Sequence, residues 1–362
     1  MNAPSASRVV ICAAGGGKTT RIVKEAVADS ASRSLLVTFT LNNRDEIRRK
    51  LHEHGLVVPP HIEVMSWFSF LLREMARPYR NALHDRRIDG MLFVEGRSVP
   101  FVEESEIATH YFADKSLIYS DKLAKFVCAC DQKTGGAVMS RLKQRFDHIY
   151  VDEIQDMAGY DLDLLERMLN AGIRLTLVGD HRQATFSTNK ALKNHAYGGV
   201  NIINKFREWE KAKLLSLTYE QFTLRCHQHI ASLGDSLFPS EPPTKSHSTA
   251  ASDHDGVFIV KRADVDAYIA RYTPQILRLD VKTLCQGHPA MNFGPSKGLT
   301  FDRVLIFPHV GATKWLATAK LTPIQKSLAK MYVGITRARY SLAFVYDGDV
   351  RIPDVQLYRP AA

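Results

Sequence analysis

The sequence predicts an α/β protein built from parallel, doubly wound sheets, and three observations carry this prediction. The chain opens with an apolar run, a glycine-rich loop and a helical stretch. Four further apolar runs of strand length follow before residue 181, separated by helical or mixed stretches. A second alternation begins near Lys211. Strands of a parallel sheet are buried on both faces and are joined by crossover helices, so they appear as continuous apolar runs between helices.

The elements of the first half follow this alternation in order. A helical stretch follows the first strand after its glycine loop. Another helical stretch, "NNRDEIRRKL", follows the second strand. The third run starts as a strand and turns helical. The predicted strands are "RVVIC", "SLLVTFT", the start of "IEVMSWFSFLL", "HIYVDE" and "IRLTLVGD". Between the third and fourth strands, Met75 to Phe146 has a mixed, largely helical pattern that predicts an inserted subdomain.

The second half supplies a second α/β unit of similar size. A helix is predicted from Arg225 to Leu237, and the segment Pro239 to Gly256 is rich in Pro, Ser and Asp. Such a composition is typical of a flexible connection. The predicted strands are "AKLLSL", "VFIVKR", "QILRLDV", "DRVLIF" and "YSLAFVYD".

Composition narrows the class of protein and its partner. The 362 residues are enough for two domains, and 45% hydrophobic and 24% charged residues are typical of a globular chain. A net charge of +10 favours an anionic partner, nucleic acid first, although a merely basic protein is the alternative. The five cysteines are odd in number and scattered, which argues against a disulfide framework. We expect a soluble, cytoplasmic protein with no membrane partner, because no apolar run of spanning length and no secretory signal is present.

The stretch "CAAGGGKT", Cys12 to Thr19, has the context of a phosphate-binding loop, since it follows a strand and opens a helix. Glycines let backbone N–H groups converge on phosphate oxygens, Lys18 adds a positive charge, and Thr19 can ligate Mg²⁺. The predicted phosphate contacts are Ala14, Gly15, Gly16, Gly17, Lys18 and Thr19.

The stretch "HIYVDEIQDM" runs an apolar strand into adjacent carboxylates. A buried strand end is a poor place for unpaired charge, so carboxylates there are paired, hydrogen-bonded or bound to metal. Beside a phosphate loop, Asp152 is predicted to hold Mg²⁺ and Glu153 to act as general base on water. Gln183 lies just beyond the fifth strand, where it can sense a γ-phosphate; a solvated loop glutamine is the alternative.

Along essentially the whole chain, the ordered motifs resemble those of the UvrD/Rep-like helicases of superfamily 1A. The segments similar to motifs I, Ia, Ib and II are "AAGGGKTT", "LLVTFTLNNRDEIRRKL", "VMSWFSFL" and "VDEIQD". Those similar to motifs III, IV, V and VI are "LVGDHRQATF", "LTYEQFTLRCHQHI", "SKGLTFDRVLIF" and "MYVGITRARYSL". A single motif can arise by chance, whereas eight in order on the expected elements are highly specific.

The resemblance implies two tandem RecA-like domains with ATP and Mg²⁺ between them, a small insert and no full 2B domain. It implies a first domain over 1–74 and 147–206, the helical insert over 75–146, and a second domain over 207–362 that contains the flexible segment 239–256. Arg225 and Arg337 are implied as arginine fingers, and Thr20 and Gly298 as further nucleotide contacts. The implied DNA-binding residues are Phe39, Thr40, Asn42, Arg44, Trp67 and Phe186. For Phe39, a core aromatic on a strand is nearly as good an interpretation.

The chain also departs from the family pattern, chiefly at base and sugar recognition. Too few residues precede the phosphate loop for the family's upstream glutamine motif. Thr20, Leu224 and Thr300 stand where the family commonly has an arginine, an adenine-stacking aromatic and a ribose-binding glutamate. The base-stacking tryptophan of motif III would fall near Thr188, where none is present. We therefore expect ATP with tolerance of other NTPs.

These observations predict a minimal DNA-dependent ATPase that acts on single-stranded or tailed DNA, with 3′→5′ movement implied by the family. The alternative is a nucleotide-gated regulatory subunit that controls a partner nuclease, for example in phage defence, an idea that rests on analogy alone. A phosphate-loop kinase or GTPase leaves motifs IV to VI unexplained.

Overall fold

The computed structural model describes residues 7–55, 57–189, 191–249 and 251–360, which form two compact units. The first unit comprises the described residues of Met1–Ile11, Lys18–His181 and Phe186–Thr218. The second comprises Cys12–Gly17, Arg182–Thr185 and the described residues of Tyr219–Ala362. Two short loops from the first half of the sequence therefore cluster with the second unit.

The described residues of the first half form eight strands and nine α-helices. Its strands are β1 (Arg8–Cys12), β2 (Ser34–Thr38), β3 (Ile62–Ser66), β4 (Gly90–Leu92), β5 (Leu117–Tyr119), β6 (His148–Val151), β7 (Arg174–Gly179) and β8 (Ser216–Glu220). Its helices are α1 (Lys18–Ala28), α2 (Leu41–His54), α3 (Trp67–Phe70), α4 (Arg77–Tyr79), α5 (Ile107–His110), α6 (Leu123–Lys133), α7 (Ala137–Arg145), α8 (Tyr160–Asn170) and α9 (Ile202–Lys211). A π-helical turn, Leu71–Ala76, continues α3.

Six of these strands form one sheet in the order β3-β2-β6-β7-β1-β8. The pairs β2–β3, β2–β6, β6–β7 and β1–β7 are all parallel, which confirms the predicted sheet type. Every residue of β2 and β6 is buried, as expected of strands covered on both faces. Parallel strands present their carboxyl ends at one edge, so the ends of β1 and β6 face the same side with β7 between them.

The strand predicted at "AKLLSL" lies elsewhere than expected. The observed strand, β8, begins at Ser216 and belongs to the first sheet rather than to a second alternation. Ser216 N donates to Ser7 O at 3.0 Å, and Thr218 Oγ1 donates to Val9 O at 3.3 Å. As an edge strand with no fully buried residue, β8 needs no continuous apolar run, and the sequence pattern therefore misplaces it.

The segment 75–146 is part of the first compact unit. Its longest elements are α6 and α7, in line with a helical pattern, but β4 and β5 form a two-stranded parallel sheet that the sequence did not predict. Tyr111 and Phe112 both pack edge-on against Phe126, with ring centroids 5.2 and 5.5 Å apart. These buried aromatic rings give the segment a core of its own.

The second half forms another parallel sheet. Its strands are β9 (Phe222–Thr223), β10 (Lys245–Ser246), β11 (Gly256–Val260), β12 (Gln275–Arg278), β13 (Met291–Asn292), β14 (Phe301–Phe307), β15 (Ala338–Val345) and β16 (Val355–Leu357). Its helices are α10 (Gln228–Ser236), α11 (Val265–Tyr272), α12 (Val310–Thr318) and α13 (Leu328–Ile335). The six-stranded sheet has the order β13-β12-β14-β15-β11-β16, and all of its pairs are parallel.

Part of the segment 239–256 is tied to the second unit. Strand β10 pairs in parallel with β9. Just before β10, Thr244 donates from its backbone N and its Oγ1 to the carboxylate of Asp235, at 2.6 and 2.8 Å. The Pro- and Ser-rich composition thus coincides with a short ordered pairing. Among the described residues, no helix is long and apolar enough to cross a membrane.

Candidate active site

The phosphate loop lies between β1 and α1, as the sequence predicts. Gly15 and Gly17 have φ angles of +76° and +75°, a left-handed conformation that glycine adopts without a Cβ penalty. Helix α1 begins at Lys18 and has no acidic residue in its first turn. The first N–H groups of a helix have no intrahelical acceptor, so this end of α1 is suited to an anion.

Two pairs of side chains join α1 to the end of β6 within the first unit. Lys18 Nζ lies 3.2 Å from Glu153 Oε1, and Thr19 Oγ1 donates to Asp152 Oδ2 at 2.7 Å. The predicted phosphate-loop and carboxylate residues therefore meet, although more than 130 positions separate them in the sequence. Thr20, the next residue of α1, is half-buried.

Asp152 is almost fully buried, with 1% of its surface exposed. Burial, together with the neighbouring negative charge of Glu153, raises the pKa of Asp152 to about 6, while Lys18 and the Thr19 hydroxyl oppose the rise. Two adjacent carboxylates beside Lys18 form a group that a divalent cation can neutralise.

The donors at this point fit Mg²⁺. Asp152 offers a carboxylate oxygen and Thr19 a hydroxyl oxygen, both hard ligands. Among the described residues, no group of three or more His, Cys, Asp or Glu side chains forms a candidate metal site. Mg²⁺ typically takes one or two carboxylates and completes its shell with water and substrate phosphates, so a two-residue protein contribution suits it.

Glu153 is held in an uncommon backbone conformation. Its φ of +55° and ψ of +43° are left-handed values that few non-glycine residues adopt. Gln155 Nε2 donates to Glu153 Oε2, and Gln155 Oε1 accepts from the backbone N of Asp180 at 3.0 Å. Gln155 therefore links the Glu153 carboxylate to Asp180, the residue that directly follows β7, and orients that carboxylate. No role was predicted for Gln155 from the sequence, and its position two residues after Glu153 was the available signal.

The second unit holds Arg337 and Arg225. Arg337 is 1% exposed, and its Nε and Nη1 donate to the carbonyls of Val333 and Leu299, each at 3.0 Å. Its Nη2 donates to Gln183 Oε1 at 3.2 Å; Gln183 belongs to the loop 182–185, which clusters with this unit. Arg225 is half-buried and donates from Nη1 to Thr336 O at 3.1 Å. Contact of either arginine with a nucleotide stays a prediction.

The remaining predicted nucleotide contacts have contrasting environments. Ala14 and Gly16 are buried, whereas Gly298 is exposed and has a φ of +87°. Space around Gly298 is open, with nothing within 4 Å of the position of a Cβ. Its conformation, rather than close packing, is therefore the reason for glycine there.

The residues predicted to bind DNA divide into surface and structural positions. Thr40 caps α2 by accepting from the backbone N of Asn43, and Asn42 is exposed in the first turn. Phe39 is half-buried and lies 5.7 Å, ring to ring, from Phe68. Phe186 is 44% exposed.

Trp67 differs from the expectation for a DNA grip, whereas the prediction for Arg44 stays a prediction. Trp67 is fully buried, and its indole N–H donates to Asp161 Oδ1 at 2.8 Å, so the ring lies in the core and offers no face to a base. A bulky aromatic with a satisfied polar edge stabilises the interior, which explains its place at the start of α3. Arg44 is bound by Asp45, its neighbour, through Nε and Nη2.

Comparisons with known proteins bear on this arrangement. Residues 105–196 match the family model described as the UvrD/REP helicase N-terminal domain. The match confirms the resemblance to UvrD/Rep helicases over a segment that contains Asp152, Glu153 and Gln183. No curated protein matches the chain.

Solved helicases from arteriviruses are similar at low identity. The helicase of PRRSV is 16% identical, with a TM-score of 0.45, 94% of this chain covered and 52% of that one. The arterivirus nonstructural protein 10 helicase, alone and in complex with DNA, is also 16% identical with 94% of this chain covered; the TM-scores are 0.46 and 0.47. The chain thus spans between half and two thirds of the length of these proteins, 59% and 60% in the last two cases.

Proposed function

We propose that the chain is an ATP-hydrolysing motor that acts on single-stranded or tailed DNA. The observation that carries this proposal is the meeting of four side chains at one edge of the first sheet, with Lys18 on Glu153 and Thr19 on Asp152. A phosphate loop opposite a carboxylate pair is an arrangement suited to nucleotide hydrolysis. The UvrD/Rep family match and the net charge of +10 support DNA as the second ligand.

The residues present divide the chemistry among themselves. Lys18 and the N-terminus of α1 bind the phosphates, and Glu153, oriented by Gln155, accepts a proton from the attacking water. Thr19 and Asp152 would hold Mg²⁺, which supplies positive charge against the phosphate oxygens when bound. In this structure Lys18 pairs with Glu153, so phosphate binding that draws Lys18 away would release the carboxylate for its role as base.

Substitution of Glu153 tests the proposal. Glu153→Gln should lower turnover by at least about 100-fold, because positioned general bases contribute roughly 10²–10⁴-fold. Nucleotide affinity should be kept, since the phosphate loop is intact. ATPase assays with and without oligo(dT) and fluorescent-nucleotide titration measure the two effects.

A matched control separates chemistry from charge removal. Glu95→Gln removes one carboxylate from an exposed position in the segment 75–146 and should leave turnover unchanged. Near-normal hydrolysis by Glu153→Gln would refute the assignment of the base, and failure of DNA to stimulate the unaltered protein would refute the motor proposal.

A second candidate function is favoured by one observation. Thr188, near the place of the family's stacking tryptophan, donates its hydroxyl to Asp161, the carboxylate that also binds Trp67. Trp67 and the position of Thr188, where bases would stack in the family, thus make hydrogen bonds inside the protein instead. A nucleotide-gated regulatory subunit for a partner nuclease needs less grip. Strand displacement on a tailed duplex discriminates, because robust unwinding by the isolated chain contradicts the regulatory function.

A further inference from the structure

A small, strongly basic cavity lies in the first unit and shares no lining residue with the candidate active site. Its volume is about 170 Å³, and segments from four parts of the sequence line it. Tyr160, at the start of α8, and Leu192 form an aromatic and an apolar part of its wall. Four cationic side chains also line it: Arg97, Lys122, Lys125 and Lys193.

Two of the four cations have carboxylates nearby. Lys125 Nζ lies 2.8 Å from Glu104 Oε2, and Lys193 Nζ lies 3.8 Å from Asp163 Oδ2. Glu104 and Asp163 do not line the cavity, so they contact these two lysines from outside it. The Lys193 side chain is 52% exposed, so its pair contributes little, whereas the Lys125 side chain is only 16% exposed and is held more firmly by Glu104.

The other two cations, Arg97 and Lys122, have no ion pair among the residues that the structure describes. The one carboxylate in the lining, Asp121, is oriented by the backbone N and the Oγ of Ser98 at 2.9 and 2.7 Å and brings one negative charge against four positive ones. Positive charge therefore exceeds what the protein neutralises within the cavity.

His110 shows how closely the cations are held. Lys122 Nζ and Lys125 Nζ lie 3.3 and 3.2 Å from the same nitrogen, His110 Nε2, while Nδ1 bonds to the carbonyl of Val102 at 2.8 Å. One lone pair on a neutral imidazole cannot satisfy two ammonium groups fully. Burial lowers the pKa of Lys122, and the positive charges of Lys125 and Arg97 add to this, while the negative charges of Asp121 and Glu104 oppose it.

We propose that this cavity binds a phosphate group of a nucleic-acid strand. Like charges gathered in a partly enclosed space are unfavourable without an anion, and a phosphate offers several acceptor oxygens to surrounding donors. Tyr160 and Leu192, the latter 69% exposed, give the adjoining sugar or base an apolar surface. The assignment of this phosphate to a nucleic-acid strand rests on the proposed function. Free phosphate would bind through the same contacts and is the alternative ligand.

The test compares two double variants that remove the same charge. Arg97→Gln with Lys122→Gln empties the cavity of its two unpaired cations. Arg86→Gln with Lys133→Gln removes two exposed cations of the first unit outside the lining. Both keep Lys18, so binding of phosphate at the phosphate loop is common to all proteins.

Binding of fluorescent oligo(dT) is measured by anisotropy across a salt series, and binding of inorganic phosphate by ³¹P NMR. We expect the cavity variant to bind oligo(dT) about tenfold more weakly than the control variant, with a salt slope smaller by about 0.7, the value for one phosphate contact on a single strand. Oligo affinity and slope equal to the control would overturn the proposal. Loss of phosphate binding alone would overturn the strand as source.

The thermal stability of the two variants excludes a merely structural role. Removing crowded cations should leave the melting temperature of the cavity variant equal to or above that of the control, because a binding site is commonly less stable than its neutralised form. Weaker DNA binding that accompanies a lower melting temperature would contradict the proposal. Failure of the unaltered protein to bind oligo(dT) would refute the motor function itself, whereas an unchanged salt slope would refute only the cavity.

Discussion

At the scale of single residues, the two arginines proposed as fingers differ in burial and in the hydrogen bonds that their side chains make. Arg337 is buried and donates to the carbonyls of Val333 and Leu299, whereas Arg225 is half-buried with one described side-chain bond, to Thr336. Removing Arg337 takes the donor from these two carbonyls and from Gln183 Oε1, and a buried acceptor left unsatisfied costs about 1–3 kcal/mol. Arg225 is therefore the cleaner probe of catalysis.

We expect Arg225→Ala to lower turnover by on the order of 10³-fold with little loss of nucleotide affinity or stability. Arg337→Ala should lower both turnover and the melting temperature. Arg339→Ala, which removes an arginine paired with Asp302 and 43% exposed, is the matched control. Turnover, nucleotide affinity and melting temperature are measured for each. A turnover loss in Arg225→Ala that tracks a lower melting temperature would favour a structural arginine.

Residue chemistry also predicts weak discrimination among nucleobases. Leu224 is 59% exposed and Thr300 is exposed, and both stand where the family commonly contacts the base or sugar. Discrimination based on hydrogen bonds is lost when the protein partners are missing. We expect GTP or CTP to be hydrolysed within about tenfold of ATP, a difference of about 1.4 kcal/mol. A strong preference for ATP in steady-state assays would show that other residues recognise the base.

At the scale of elements, β6 contains a histidine that makes stability depend on pH. His148 is fully buried, bonds through Nε2 to Thr176 Oγ1 at 2.9 Å and stacks on Tyr150. Burial, with Arg174 and Arg8 nearby, lowers the pKa of His148 to about 3. Below pH 6.5 the unfolded chain takes up a proton that the folded chain does not. The stability from neutral His148 is thus complete above pH 6.5 and is lost as pH falls toward 3.

Urea unfolding between pH 7 and 4.5 tests this. The free energy of unfolding should decrease as the pH is lowered, and His148 should contribute up to about 1.4 kcal/mol of this decrease per pH unit. His148→Phe, which keeps a ring against Tyr150, should flatten the curve by that amount. His195→Phe, at an exposed position in a short 3₁₀ turn, is the control. Equal slopes in the two variants would exclude His148 as the cause.

Elements also show how far the sequence predicts the structure. Strands buried on both faces, such as β2 and β6, are recognised because burial imposes a continuous apolar run. Edge strand β8 and the short pair β4 and β5 lack that constraint and were misplaced or missed. The phosphate loop and the carboxylate pair follow from residue type and context. Core aromatics such as Trp67 cannot be distinguished from surface ones, because only the fold decides which face is covered.

At the scale of the whole molecule, the net charge of +10 supports nucleic-acid binding, but part of the expected grip is neutralised locally. On α2, Arg44 pairs with Asp45 at 2.8 Å, and Lys50 lies 3.7 Å from Glu46. Exposed pairs of this kind are weak and exchange readily with phosphate. Binding through such residues should therefore be mainly electrostatic and should weaken steeply with salt.

Unwinding needs an ATP-driven cycle and a grip on the strand that alternates with it. Four of the residues proposed for hydrolysis, Lys18, Thr19, Asp152 and Glu153, meet in the first unit, whereas Trp67 and Thr188 both bond to Asp161 instead of facing bases. Each missing base stack removes about 1–3 kcal/mol of grip, while opening a duplex costs about 1.4 kcal/mol per step.

We therefore expect DNA-stimulated ATPase activity with poor, non-processive strand separation by the isolated chain. Single-turnover unwinding of tailed duplexes of increasing length, at 50 and 200 mM salt, measures this. The amplitude should fall steeply with duplex length and with salt, and ATPase stimulation should fall with salt in parallel, because both depend on the same phosphate contacts. Efficient unwinding of long duplexes at the higher salt would contradict the prediction. It would mean that contacts outside the stacking positions hold DNA through interactions that salt does not screen.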